Sequence, residues 1–183
     1  MNTVFNEYNN KVDLSALFDY CREKGNQCHY TKGEIFTQAG YVGKYLAFIE
    51  SGYFKFTTVT SEGNETVVGF AFEGEGMCDF NNSFQNKPSE VSIVAGSDCT
   101  VYQISFKEAK EFLEAVYKDS LLKITGELFS EVYQRHLELY RKSPTERYLD
   151  LIRKYPEILN IVTLREIASY LLVTPIYLSR LNM

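Results

Sequence analysis

Four cysteines and two histidines are the residues of this 183-residue chain best suited to metal or redox chemistry. Cys21 and Cys28-His29 are spaced C-x6-C-H, which is neither a zinc knuckle nor the clustered-cysteine pattern of an iron–sulfur site. Free, partly buried thiols account for that spacing. Cys78 and Cys99 fall in or beside β-like segments and read as small core residues. A cupin-type metal enzyme would need histidines and carboxylates gathered at one place. Here His29 falls before the β-rich stretch and His136 on a long helix. No nucleophile–base pair, phosphate loop or pair of catalytic acids stands out. The chain reads as no enzyme, with no metal and no cofactor expected.

Charge gives a second lead. Residues 1–139 carry 12 Lys and Arg against 20 Asp and Glu, whereas residues 140–183 carry seven against four, so the net swings from −8 to +3. An acidic body with a basic tail is the footprint of a regulator that touches a polyanion. Chance fluctuation in a short tail produces the same figure, so the tail's pattern has to decide. No run of about 18 apolar residues could span a bilayer. The start, Met1-Asn-Thr-Val-Phe-Asn-Glu, lacks the basic and apolar stretches of a signal peptide. Four cysteines are too few for a disulfide scaffold. A cytoplasmic globular protein without a membrane partner is expected, and 14 Tyr and 13 Phe with no Trp suit a β-rich core.

Residues 12–24 have the spacing of a short amphipathic helix opened by Asp13, with Val12, Leu14, Leu17 and Phe18 on its apolar face. From about 27 to 105 the period changes to two. Tyr45-Leu-Ala-Phe-Ile reads as a buried strand. Residues from Tyr53, from Val67, from Val91 and from Thr100 supply further strands, punctuated by Gly33, Gly40, Gly52, Gly63 and Gly74. Short strands at regular spacing with glycine turns predict a sandwich or barrel.

Helical spacing resumes at Phe106, and Ala109, Phe112, Leu113 and Val116 are expected to pack back on the barrel. A long helix from Asp119 to Tyr140 would measure about 30 Å. Its seam of Leu121, Leu128, Val132 and Leu139, flanked by Ile124 and Phe129, fits pairing with a second copy. Thr125 and Arg135 interrupt that seam, which also suits a plain core helix. Ser143-Pro-Thr-Glu146 is a capping box with Pro in the first turn, so a new helix begins there and ends before Pro156. Thr163-Leu-Arg-Glu166 is a second box, and Thr174-Pro175 repeats the signal. Two short helices joined by a tight turn, with the small Ala168 at the crossing, match a helix-turn-helix.

Taken together, Lys32-Gly-Glu with Gly40, Tyr45-Leu-Ala-Phe-Ile-Glu-Ser-Gly52, Glu62-Gly-Asn-Glu and Ser143-Pro-Thr-Glu-Arg-Tyr-Leu resemble the Crp–Fnr family of bacterial transcription regulators. The most specific stretch is Ile167-Ala-Ser-Tyr-Leu followed by Thr174-Pro and Leu178-Ser-Arg180. The resemblance runs from about residue 13 to the end and looks like the short branch common in Bacteroidetes-type bacteria. It implies an α+β chain in three parts. Residues 1–118 would form an antiparallel, jelly-roll-like β-roll sensor resembling cyclic-nucleotide-binding domains. Residues 119–141 would be a long dimerisation helix, and 142–183 a small winged helix-turn-helix. The implied partners are DNA, a second copy of the chain, RNA polymerase and a small effector.

Against the nucleotide-binding members, the ligand site departs. Gly74-Glu-Gly-Met leads to Cys78-Asp79-Phe80, where Asp79 could accept from a ribose. The Arg-Ser that holds the cyclic phosphate in those members falls near Ser89-Glu90. A glutamate there meets the phosphate as a like charge, with no bidentate donor. On the long helix, the place of the adenine contacts falls near Val132 and Tyr133. Cyclic AMP is therefore not the expected ligand, and the effector is unassigned. At the DNA end, Leu172 occupies the turn position usually held by Gly, which is strained if φ is positive. Pro175-Ile176-Tyr177 opens the reading helix, leaving Arg180 as the guanine reader. Thr174, Tyr177 and Ser179 suit phosphate contacts, and Arg165 a backbone contact. The sequence ends at Leu181-Asn-Met, about two turns into that helix, so an incomplete reading head is expected. Two readings remain: a ligand-sensing DNA-binding regulator, or a Crp-like ligand-binding or interaction module without useful DNA affinity.

Overall fold

The computed structural model describes residues 5–181. The first four and last two residues, on which the readings of a leaderless start and a clipped end partly rest, lie outside the described residues. After a 3-10 turn at Glu7–Asn10 comes α1 (Ser15–Lys24), followed by eight strands: β1 (Asn26–Tyr30), β2 (Ile35–Thr37), β3 (Tyr45–Ser51), β4 (Tyr53–Val59), β5 (Glu65–Phe72), β6 (Gly76–Met77), β7 (Ser92–Ala95) and β8 (Cys99–Ser105). A single-turn helix, α2 (Phe80–Phe84), interrupts them between β6 and β7. Then come α3 (Phe106–Val116), α4 (Leu121–Arg141), α5 (Pro144–Lys154), α6 (Ile158–Ile161), α7 (Leu164–Tyr170) and α8 (Pro175–Leu181).

The strands form two antiparallel four-stranded sheets, ordered β1-β8-β3-β6 and β2-β7-β4-β5. Ala47, Ile49, Phe54, Ala71, Met77, Ile93, Ala95 and Val101 fill the space between them. The alternate residues of β3, Leu46 and Phe48, face the other way, into a layer made by α1, α3 and the start of α4. β3 is thus covered on both faces, which is why Tyr45-Leu-Ala-Phe-Ile shows no polar alternation. The strands from 45, 53, 67, 91 and 100 appear where the period of two puts them. β1, β2 and β6 lacked a distinct signal. Cys28 and His29 lie inside β1, paired with Val101 and Thr100 of β8, so His29 belongs to the roll rather than preceding it.

Helix starts follow the capping chemistry. Ser143 accepts from the Glu146 N–H while the Glu146 side chain returns to the Ser143 N–H, and Thr163 and Glu166 repeat this at α7. Ser105 and Glu108 form a third box at α3. Thr174 Oγ1 accepts from the Tyr177 N–H at 3.2 Å, opening α8. Such caps are worth about 1 kcal/mol each. The apolar stripe of α4 differs from the predicted seam. Ile124 is buried, and Leu121 and Leu128 pack on the layer over the roll. Val132 (67% exposed) and Leu139 of that seam stay exposed, with the flanking Phe129 (70%), and are joined by Leu122 (86%) and Tyr140. Val116 on α3 is also exposed rather than packed back. Among the described residues no strand follows α4, so the wing implied by the resemblance is not part of them.

A third core joins the roll to the C-terminal helices. Tyr53, Val67 and Phe70 from β4 and β5 pack with Tyr148, Leu151, Ile158, Ile167, Ala168, Leu171 and Leu178. The turn between α7 and α8 places Leu172 at φ +56°. A left-handed conformation costs a β-carbon-bearing residue about 1–2 kcal/mol. Leu172→Gly is therefore expected to raise stability by about 0.5–1 kcal/mol, net of the entropy that glycine adds to the unfolded chain. A urea melt of the two proteins measures the difference.

Candidate functional site

The loop running from β6 through α2 to β7 holds five of the residues expected at an effector pocket. Asp79 is the N-cap of α2, with Oδ1 accepting from the Asn82 N–H at 3.4 Å. Its Oδ2 accepts from Asn82 Nδ2 at 3.0 Å. Ser89 is buried (3% exposed), and its Oγ lies 2.6 Å from Asp79 Oδ2 and 2.7 Å from the Val91 carbonyl. One hydroxyl proton serves one acceptor at a time, and the carboxylate is the stronger. Asp79 and Ser89, which would meet a ribose and a cyclic phosphate, are thus bonded to each other. No Lys or Arg forms an ion pair with Asp79 among the described residues, and Lys87 Nζ reaches Gln85 Oε1 at 2.7 Å instead.

Glu90 is exposed, and its carbonyl accepts weakly from Thr58 Oγ1 at 3.5 Å. The carboxylate turned into the loop is therefore Asp79, not Glu90. Cys78 and Phe80 pack into the apolar layer shared with α1 and α3. Burial pushes the thiols of Cys78 and Cys21 up to about 12, so both are protonated at neutral pH. Val132 and Tyr133 are not brought to this loop. Tyr133 stacks on Phe129 at 5.8 Å on the outer face of α4. Val132 borders a separate cavity of about 370 Å³ between α4, β5 and the C-terminal helices, walled also by Val68, Leu139, Arg147 and Leu172.

The residues expected to meet DNA share the surface of α7 and α8. Leu178 turns inward and is fully buried, while Thr174, Ile176, Tyr177, Ser179 and Arg180 are exposed. Arg165, in the first turn of α7, is exposed as well. Tyr177 Oη lies 2.7 Å from Thr145 Oγ1 on α5, which ties one candidate phosphate contact to the neighbouring helix.

Sequence reasoning missed what α7 does on its other side. Glu166 Oε2 accepts from Thr163 Oγ1 at 2.7 Å, as its capping box requires, and also from Tyr53 Oη at 3.0 Å. Its Oε1 meets Lys55 Nζ at 3.2 Å. The Val67 N–H donates to Ser169 Oγ at 2.9 Å. One glutamate therefore caps α7 and fastens it to β4. Local pattern carries only the first of these tasks. Burial pulls the Glu166 carboxyl upward, and hydrogen bonds from Thr163, Lys55 and Tyr53 more than reverse this, leaving it below its usual value.

Comparison with known proteins fits this architecture. Residues 27–116 match the family described as the cyclic nucleotide-binding domain. No curated protein sequence matches the chain. Among solved structures, FixK2 from Bradyrhizobium japonicum aligns with a TM-score of 0.69 at 19% identity, over 85% of this chain and 81% of its own. CLP from Xanthomonas campestris, described as a c-di-GMP responsive global regulator, gives 0.66 at 15% identity, over 92% and 89%. A CooA mutant from Carboxydothermus hydrogenoformans gives 0.65 at 16%, over 100% and 84%. At such identities the likeness is one of fold. Over residues 27–116 the chain is similar to the cyclic nucleotide-binding domain, and its fold is that of FixK2, CLP and CooA.

Because the Glu166 carboxyl is depressed on folding, the stability it supplies is present above the unfolded-state value and is lost as pH falls through the lower folded value. Glu166→Gln should cost about 1.5–3 kcal/mol near neutral pH, the range for hydrogen bonds to a charged group. Urea melts across pH should show this gap closing below about pH 4.5, the usual carboxyl value from which Glu166 is lowered.

Proposed function

We propose that this protein is a dimeric DNA-binding transcription regulator of the Crp–Fnr type. Its β-roll senses a small effector other than cyclic AMP, and residues 142–183 form the helix-turn-helix that reads DNA. The observation that carries this reading is the division of α8. Leu178 holds the helix in the core while Ile176, Ser179 and Arg180 stand exposed beside a capped N-terminus. An arginine so placed can bond the O6 and N7 of guanine. The exposed apolar face of α4, from Leu122 through Phe129 and Val132 to Tyr140, supports pairing with a second copy over residues 119–141. The fold neighbours support a regulator as the general class. RNA polymerase is the further partner such a regulator would meet.

Cyclic AMP is set aside because Asp79 and Ser89 satisfy each other and no cation pairs with Asp79 among the described residues. A cyclic phosphate arriving there would face a carboxylate. The alternative is a ligand-binding or interaction module without useful DNA affinity. Its support is that Arg180 is the one basic side chain within α8.

Fluorescence anisotropy with DNA from upstream of the protein's own gene tests the proposal, at two salt concentrations. Salt-sensitive binding with a sequence preference is expected. Arg180→Ala should cost about 1–3 kcal/mol at the preferred site and much less on random DNA. Equal loss on both makes Arg180 a phosphate contact, and no binding with or without cell-extract metabolites favours the module. In sedimentation, Phe129→Glu should turn a dimer into a monomer; an unchanged dimer removes the α4 face from the account.

A further inference from the structure

Phe5 lies far from either candidate site in sequence, yet it is 3% exposed. Its ring contacts Phe72 at 5.2 Å and Phe70 at 5.9 Å on the roll. On its other side it meets Tyr155 at 4.8 Å and Tyr170 at 6.0 Å, on the C-terminal helices. The Arg135 guanidinium, from α4, stands 4.7 Å over the ring. The Phe5 carbonyl accepts from Tyr155 Oη at 2.8 Å and from Arg135 Nη2 at 3.1 Å. One residue thus touches all three parts of the chain.

Its neighbours repeat the pattern. The Asn6 N–H donates to Glu75 Oε1 at 2.8 Å, and Asn6 Nδ2 donates to Glu75 Oε2 at 2.6 Å and to the Phe70 carbonyl at 3.0 Å. Asn6 Oδ1 accepts from Arg135 at 3.2 Å. Glu7 pairs with Lys154 at 2.7 Å, and the Tyr8 N–H donates to Glu131 Oε2 on α4 at 2.7 Å. Glu75 is itself buried, and it sits four residues before Asp79, at the entry to the candidate effector loop. Its carboxylate takes the Phe72 N–H as well, so this strap completes its hydrogen bonding.

We propose that residues 5–8 are a positioning strap that sets where the C-terminal helices sit on the roll, linking Glu75 beside the effector loop to Tyr155 and Tyr170. A change in the effector loop that shifts Glu75 pulls on Asn6, and Phe5 transmits it to both tyrosines. Phe5 acts by holding other groups in place and touches no ligand or base itself. The consequence for DNA rests on the function proposed above, whereas the positioning role does not.

The test is amide hydrogen exchange of the full chain, because the Val67 N–H is bonded across the seam to Ser169 Oγ. In Phe5→Ala, Val67 should exchange about tenfold faster, while Ile93 and Val101, buried in the sheets of the roll, keep their rates. Phe5→Leu should restore most of the protection. Tyr155→Phe, which removes one hydrogen bond and little packing, should speed Val67 alone by about threefold. An unchanged Val67 in both Phe5→Ala and Tyr155→Phe overturns the proposal. So does a uniform acceleration of Val67, Ile93 and Val101, which marks general loss of stability. A Val67 effect with no change in DNA affinity keeps the strap and removes its role in DNA binding.

Discussion

The C-terminal helices α5 to α8 share their apolar core with the roll. Ile167, Ala168, Leu171 and Leu178 close against Tyr53 of β4 and Val67 and Phe70 of β5. Much else follows from that shared core. Glu166 is positioned to take Tyr53 and Lys55 because α7 lies on β5, within side-chain reach of β4. Phe5 fills the gap where the roll, α4 and α5 converge. Polar bonds at this seam set the orientation, and apolar burial supplies most of the adhesion.

This arrangement links the two candidate sites. The loop of Asp79 and Ser89 follows directly from β6, whose preceding residue, Glu75, binds Asn6. The face of α8 is the far surface of the helix pair that Phe5 and Glu166 fasten down. Under the function proposed here, an effector at the loop would have a short route of packed groups through which to act on α8. Any such action is limited to the ligand's difference in affinity between two arrangements of this seam. The Asp79–Ser89 bond also commits the Ser89 hydroxyl to a carboxylate, which is the ground on which the proposal sets cyclic AMP aside.

Legibility in the sequence tracked how local each signal was. Ser143–Glu146, Thr163–Glu166 and Thr174-Pro175 fixed helix starts, since cap and partner lie three residues apart. Leu172 at the α7–α8 turn has the positive φ that its position suggested. The β3 to β5 strands were readable because apolar periodicity is also local. The α4 seam was half legible: Val132, Leu139 and Phe129 stay exposed. Leu121 and Leu128 share helical spacing with them but are covered by the roll, and spacing does not say which stripe is covered. Glu90 drew attention by its charge, yet the backbone turns Ser89 inward and Glu90 out. Phe5 and Asn6 showed no periodicity at all. Their partners, Glu75, Arg135 and Tyr155, are 69 to 150 residues away in the chain.

Differential scanning calorimetry of the full chain tests the central claim, that roll and C-terminal helices share one core. A single transition, with calorimetric and van't Hoff enthalpies in agreement, is the predicted result. Two separable transitions, one matching an independently melting C-terminal piece, would contradict it.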